Sequence, residues 1–163
     1  EYLKIVEYKT AGLIAAACRM GAMLADASEA QQDALFRFGL HLGVAFQVAD
    51  DTLDYTANGE HLGKSLGQDL RQGKATLPLL HLLHHCSEQD RQMIVDRMES
   101  RTLTEEDLGR FIHLMDKMGS ITYAMDRAKS YIAAAQRDLD QFEDSTAKRA
   151  LSVTADYMVT RDR

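Results

Sequence analysis

Tryptophan is absent from this 163-residue chain, and proline occurs once. With so little proline and so much Ala, Leu, Met and Gln, the composition argues for an all-α protein. Cysteine is scarce as well. Cys18 and Cys86 lie on apolar helical stretches and form no CxxC pair, which fits buried, reduced thiols in a cytoplasmic protein. Positive charge is in deficit: a net charge of −6 leaves no basic footprint for nucleic acid, and there is no basic juxtamembrane cluster. Long apolar runs are missing too. The stretch Ala11-Gly-Leu-Ile-Ala-Ala-Ala-Cys18 is far too short to span a bilayer. No signal-peptide pattern precedes it, although the first residue is Glu1. What remains is a chain 45% hydrophobic and 27% charged. It reads as globular and long enough to bury a core, ordinarily as one domain.

Helical periodicity organises nearly all of it. Residues 2–24 read as one helix, with Ile5, Leu13, Ala16 and Met20 in line as its apolar positions. Ser28-Glu-Ala-Gln31 is a capping box opening a second helix that should run to about Tyr55. Gly39 and Gly43 stand four apart on it and cost helix propensity, which implies close approach by another helix or a ligand. Residues 58–75 differ: Gly59, Gly63, Gly67 and Gly73 punctuate them beside Lys64, Asp69, Arg71 and Lys74, as in a loop with a short helical turn. Thr76 should cap the next helix, with Pro78 tolerated in its first turn. Ser87 and Thr104 open two more with acidic first turns. Gly119 separates a helix over about 120–142, and Ser145 starts a last one to about Thr160. No repeat or linker appears, so residues 1–163 read as a single all-helical unit of about seven helices.

Chemistry concentrates at the end of the second helix, in Gly43-Val-Ala-Phe-Gln-Val-Ala-Asp-Asp-Thr-Leu-Asp54. At about 100° per residue, Gly43, Gln47, Asp50 and Asp54 share a narrow face, with Asp51 beside them. Asn58-Gly59 supplies a helix stop, so the acids sit where the helix dipole disfavours negative charge. Such a cluster suits a hard cation such as Mg²⁺, which keeps waters and bridges to phosphates. On its own, DDxxD also describes a solvated acidic helix end. Gln47 interrupts an apolar run, and a buried amide needs partners. Lys9 falls on the stripe of Ile5, Leu13 and Ala16, where a core residue is expected. It either snorkels or points into a polar cavity, with the Thr10 hydroxyl beside it. Lys64, Arg71 and Lys74 could act as point charges for phosphate. His81, His84 and His85 have helical spacing that zinc could use, but no further ligand is grouped with them.

These motifs resemble a family. Gly43-x-x-Phe-Gln-x-x-Asp-Asp-x-x-Asp54 is similar to the second aspartate-rich motif of trans-type polyprenyl diphosphate synthases. Lys64-Ser-Leu-Gly-Gln-Asp69 and Gly73-Lys-Ala-Thr-Leu-Pro78 follow in the family's order, and Tyr2-Leu-x-Ile-Val-x-x-Lys-Thr10 resembles its Lys-Thr helix. The resemblance covers essentially the whole chain and is closest in flavour to bacterial octaprenyl-type members. It implies a helical bundle of the isoprenoid synthase type. The implied reaction is Mg²⁺-assisted loss of diphosphate from an allylic diphosphate, followed by attack of isopentenyl diphosphate on the carbocation, giving a long-chain polyprenyl diphosphate. By the same resemblance, Asp50 would ligate Mg²⁺, while Asp51 and Asp54 would ligate it or orient its water. Lys9 and Lys64 would hold the allylic diphosphate. Thr10 and Gln47 would line the carbocation, and Lys74 would lie near the diphosphates or on a closing loop. A homodimer is the implied assembly.

The chain departs from the family in length. No second DDxxD occurs, and the upstream basic residues that hold isopentenyl diphosphate are missing. It therefore resembles the C-terminal half, without the N-terminal helices, and is expected to be inactive alone. Two other readings stay open. One is a non-catalytic or complementary subunit of a heteromeric synthase; the other is a terpene cyclase on the same scaffold.

Overall fold

The computed structural model describes residues 1–56 and 66–160. Lys64 and the Asn58-Gly59 stop lie outside them, as do Gly59 and Gly63. Among the described residues all regular structure is helical: α1 (Tyr2–Val6), a π-helical turn (Glu7–Ala11), α2 (Gly12–Leu24), α3 (Glu29–Leu53), α4 (Gln68–Arg71), α5 (Leu77–His85), α6 (Glu88–Glu99), α7 (Glu105–Lys117), α8 (Ser120–Asp138) and α9 (Thr146–Thr160). The expected all-α class holds. The helix expected over 2–24 is the run α1, π turn and α2, joined through right-handed helical dihedrals. The short α4 is the helical turn foreseen in the glycine-rich segment. No helix of the described residues is long and apolar enough to cross a membrane.

The chain divides into two compact units, Glu1–Ala49 with Asp126–Arg163, and Asp50–Met125. In the first, Phe38, Leu42 and Ala45 pack with Ile132, Ala135, Leu139 and Ala155. Gly39 and Gly43 admit the N-terminal helix at backbone distance. A Cβ on Gly39 would lie 2.7 Å from Ala15 Cα, and one on Gly43 would lie 2.5 Å from Ala11 Cα. The α3 start is capped as its sequence requires, Gln31 N–H donating to Ser28 Oγ (3.4 Å) and Ser28 N–H to Gln31 Oε1 (3.0 Å). Asp138 ties α8 to α3, accepting from Arg37 Nε at 3.0 Å and bonding His41 Nδ1 at 2.7 Å.

One expectation for this unit is overturned. Ile5, Leu13 and Met20 are 57%, 77% and 60% exposed, and Ala16 is exposed too. The buried line is Val6, Ala11, Ala15 and Ala22. Val6 and Ala11 are five apart, the spacing of a π turn and not of an α-helix. The extra residue rotates the apolar face away from the one that a regular period selects.

In the second unit, Tyr55, Leu70, Leu79, Leu82, Cys86, Ile94, Leu108, Phe111 and Met115 form one core. Capping defines its helices. Ser87 Oγ accepts from Asp90 N–H, and Thr104 with Asp107 forms a reciprocal capping box. Gly119, at φ 66°, turns the chain from α7 into α8.

Candidate metal and diphosphate site

Asp50 and Asp51 occupy the last turn of α3; Asp50 is half-buried and Asp51 buried. Asp54 falls just beyond the helix, not within its last turn as the sequence suggests. The chain turns over Asp54 and Tyr55, and both groups of Asp54 are used there. Its carbonyl accepts Gly67 N–H at 2.9 Å, and its Oδ2 accepts Asp69 N–H, also at 2.9 Å. The carboxylate thereby serves the N-terminal end of α4, where negative charge is favoured. Gly67 sits there at φ 68°, a conformation that side chains rarely adopt, and a Cβ on it would press on the Leu108 side chain.

Asp69 is the acid that sequence reasoning left outside the candidate ligands. Its Oδ1 accepts from Lys74 Nζ at 2.8 Å, and Lys74 N–H donates to Asp69 carbonyl oxygen at 2.8 Å. The hydrogen bond to Asp69 raises the Lys74 pKa above its ordinary value; desolvation opposes it, and the Asp69, Asp51 and Asp54 charges add to it. Lys74 thus stays protonated, with its side chain 54% exposed. The position of Asp69 in the quoted motif, five residues before Lys74, was the available signal. Arg71 turns elsewhere: its guanidinium reaches both oxygens of Glu105, at 2.7 and 2.6 Å.

Tyr55 stands inside this acidic group. Burial is the main cause pushing its phenol pKa up, and the charges of Asp69, Asp54 and Asp51 add to it. Its hydroxyl meets Thr76 Oγ at 2.5 Å. Thr76 does take the N-cap position of α5, as the sequence implies, but its side chain caps nothing.

The other candidates lie in the first unit. Thr10 Oγ donates to Gln47 Oε1 at 3.0 Å, so the two residues singled out as carbocation-lining are in contact. Thr10 and Lys9 both belong to the π turn, a form often found at functional positions. Lys9 is exposed, in line with neither a core position nor the buried face.

The histidines do not build a metal centre. His81 and His85 stack with centroids 4.0 Å apart, His81 stacks on Tyr123 at 4.4 Å, and His81 Nδ1 bonds Ser120 Oγ at 3.0 Å. Among the described residues, no three His, Cys, Asp or Glu side chains are grouped to hold an ion by themselves. The oxygen-only donors around Tyr55 suit a hard ion that keeps its waters and takes further ligands from phosphate. That is how Mg²⁺ is ordinarily held.

A model of the polyprenyl synthetase family matches residues 1–115. The chain belongs to this family. It is 38% identical over 167 residues to octaprenyl diphosphate synthase of Escherichia coli, covering 99% of this chain and 50% of that protein. A decaprenyl diphosphate synthase from Rhodobacter capsulatus superposes with a TM-score of 0.91 at 33% identity, over 99% of this chain and 50% of the other. A polyprenyl synthase from Caulobacter crescentus, complexed with calcium and isoprenyl diphosphate, gives 0.91 at 39% identity, over 98% and 49%. The chain thus spans about half the length of the relatives it matches, as the missing motifs led us to expect.

Proposed function

We propose that the protein to which this chain contributes is a trans-prenyltransferase that extends an allylic diphosphate with isopentenyl diphosphate. The observation that carries the reading is the acidic group at the end of α3, bound through Asp54 and Asp69 to a segment that presents Lys74. A divalent cation with a diphosphate is the kind of occupant it would suit, and a polyprenyl synthase similar to this chain is complexed with calcium and isoprenyl diphosphate.

The chain's own residues would act electrostatically. Asp50 and Asp51 would hold Mg²⁺, with Asp54 orienting its water. Bound there, Mg²⁺ would supply Lewis-acid stabilisation of the departing diphosphate. Lys9, Lys64 and Lys74 would neutralise diphosphate oxygens. The allylic C–O bond breaks, its electron pair leaves with the diphosphate, and the double bond of isopentenyl diphosphate forms the new C–C bond before a proton is lost. Thr10 and Gln47 offer oxygen dipoles to the cation. Because Thr10 gives its proton to Gln47, its lone pairs remain for that purpose. Neither group is a strong nucleophile that would trap the cation.

A long-chain polyprenyl product and a homodimer complete the proposal. The test is transfer of radiolabelled isopentenyl diphosphate by the full-length protein with Mg²⁺ and an allylic primer. Incorporation that is lost in Asp50→Ala supports the reading; a protein that consumes the primer without incorporating label overturns it in favour of a cyclase. Residues 1–163 alone should give no transfer.

A further inference from the structure

We propose that the Tyr55–Thr76 hydrogen bond is a positioning contact that holds Lys74 at the acidic end of α3, and thereby sets affinity for magnesium-bound diphosphate. The proposal rests on the functional reading above.

Two consecutive residues clasp both ends of the segment from Gly67 to Thr76. Asp54 takes the near end through Gly67 N–H and Asp69 N–H, and Tyr55 takes the far end through Thr76 Oγ. Between the clasps lie α4, the Gly73 turn at φ 73° and Lys74. A Cβ on Gly73 would meet nothing within 4 Å. That side of the turn is open, and Lys74 is tied through its N–H and its Nζ to Asp69, so its place follows the segment held by the anchors on either side.

The far anchor is made at the expense of a common local bond. An N-cap threonine ordinarily accepts from the second or third N–H of its helix. Here the second helical residue is Pro78, which has no N–H, and Thr76 makes no cap bond at all. Its hydroxyl is committed instead to Tyr55, in a pair that is 3% and 2% exposed. A phenol and a threonine hydroxyl each carry one proton, so either can donate to the other across this contact. Phenylalanine would fill the same core position among Leu70, Leu79 and Leu82. The hydroxyl is needed for the anchor and not for the packing.

The experiment uses the full-length protein, inorganic pyrophosphate as the probe, and calorimetric titration with and without Mg²⁺. The variants are Tyr55→Phe, Thr76→Val, Thr76→Ser, the Tyr55→Phe/Thr76→Val double, and each of Tyr55→Phe and Thr76→Val in a Lys74→Met background. Tyr55→Phe and Thr76→Val should each weaken Mg²⁺-dependent pyrophosphate binding about three- to tenfold. The double should be no worse than either single, because both remove the same bond. Thr76→Ser should restore binding to within about twofold. With Lys74 replaced, Tyr55→Phe should cost nothing further, which a purely structural role would not produce. Unchanged affinity in Tyr55→Phe and Thr76→Val overturns the proposal, and so does an undiminished loss in the Lys74→Met background. If the unsubstituted protein binds no pyrophosphate with Mg²⁺, the functional reading fails and takes the proposal with it.

Discussion

Gly43 meets Ala11 backbone to backbone: a Cβ built on the glycine would stand 2.5 Å from the alanine Cα. Neither atom belongs to a flexible side chain, so the crowding could be relieved only by moving a helix. Gly43→Ala should therefore destabilise the protein by about 1–3 kcal/mol, despite alanine's better helix propensity. Chemical denaturation with both proteins would read it, and a gain in stability would contradict the contact.

The Thr10–Gln47 bond joins the π turn to α3. Thr10→Val should lose about 1 kcal/mol of stability, and Thr10→Ser should keep most of it. In the full-length protein, Thr10→Val should also lower kcat more than it raises KM for the allylic substrate. Steady-state kinetics on the three proteins would check both.

Asp54 is asked to serve α4 and to orient metal-bound water, and one substitution separates the tasks. Asn keeps a carbonyl oxygen for Asp69 N–H but loses the charge. Asp54→Asn in the full-length protein should melt within a few degrees of the parent, yet need several-fold more Mg²⁺ for half-maximal pyrophosphate binding. An unchanged Mg²⁺ requirement would confine Asp54 to its structural task.

His81 gives a pH dependence of definite sign. Desolvation, followed by the neighbouring His85 and His84, lowers its pKa from the ordinary value of 6.5. The folded state then disfavours the charged ring. Stability tied to His81 is complete above the unfolded pKa and is lost as pH falls through the lower, folded one. Melting temperature should decline on going from pH 7 to pH 5, and the decline should be shallower in His81→Gln.

Thr104 opens α7 with a reciprocal capping box to Asp107. Thr104→Ala should cost about 1 kcal/mol. Asp107, held below the usual carboxylate range first by the Thr104 hydroxyl, should then titrate closer to an ordinary aspartate. NMR titration of its side-chain carbon would follow the change.

Helix starts and stops were legible because they are written locally. Ser28 with Gln31, Ser87, Thr104 and Gly119 each act within a few residues. The close approach at Gly39 and Gly43 was legible too, since two glycines in a helix need a reason. The buried face of the first helical run was not, because the periodic argument assumes α geometry throughout and Glu7–Ala11 departs from it. Within the candidate site, the spacing of Asp50, Asp51 and Asp54 grouped those three acids but left Asp69 out. The bond from Asp69 to Asp54 and the one between Tyr55 and Thr76 were not legible, since they span 15 and 21 residues. Arg71 looked like a phosphate ligand for the same reason: nothing nearby in the chain announces Glu105.

The wide turn at Glu7–Ala11 has a bearing on insertions and deletions. It holds one residue more than an α-turn, so removal of a single residue there could be absorbed by conversion to regular helix. The helix would survive, but Tyr2–Val6 would swing by about 100° relative to α2. Val6 would leave the core, and Lys9 and Thr10 would exchange surroundings with their neighbours. For this stretch, agreement in helix length between two relatives says less than agreement in where the extra residue lies.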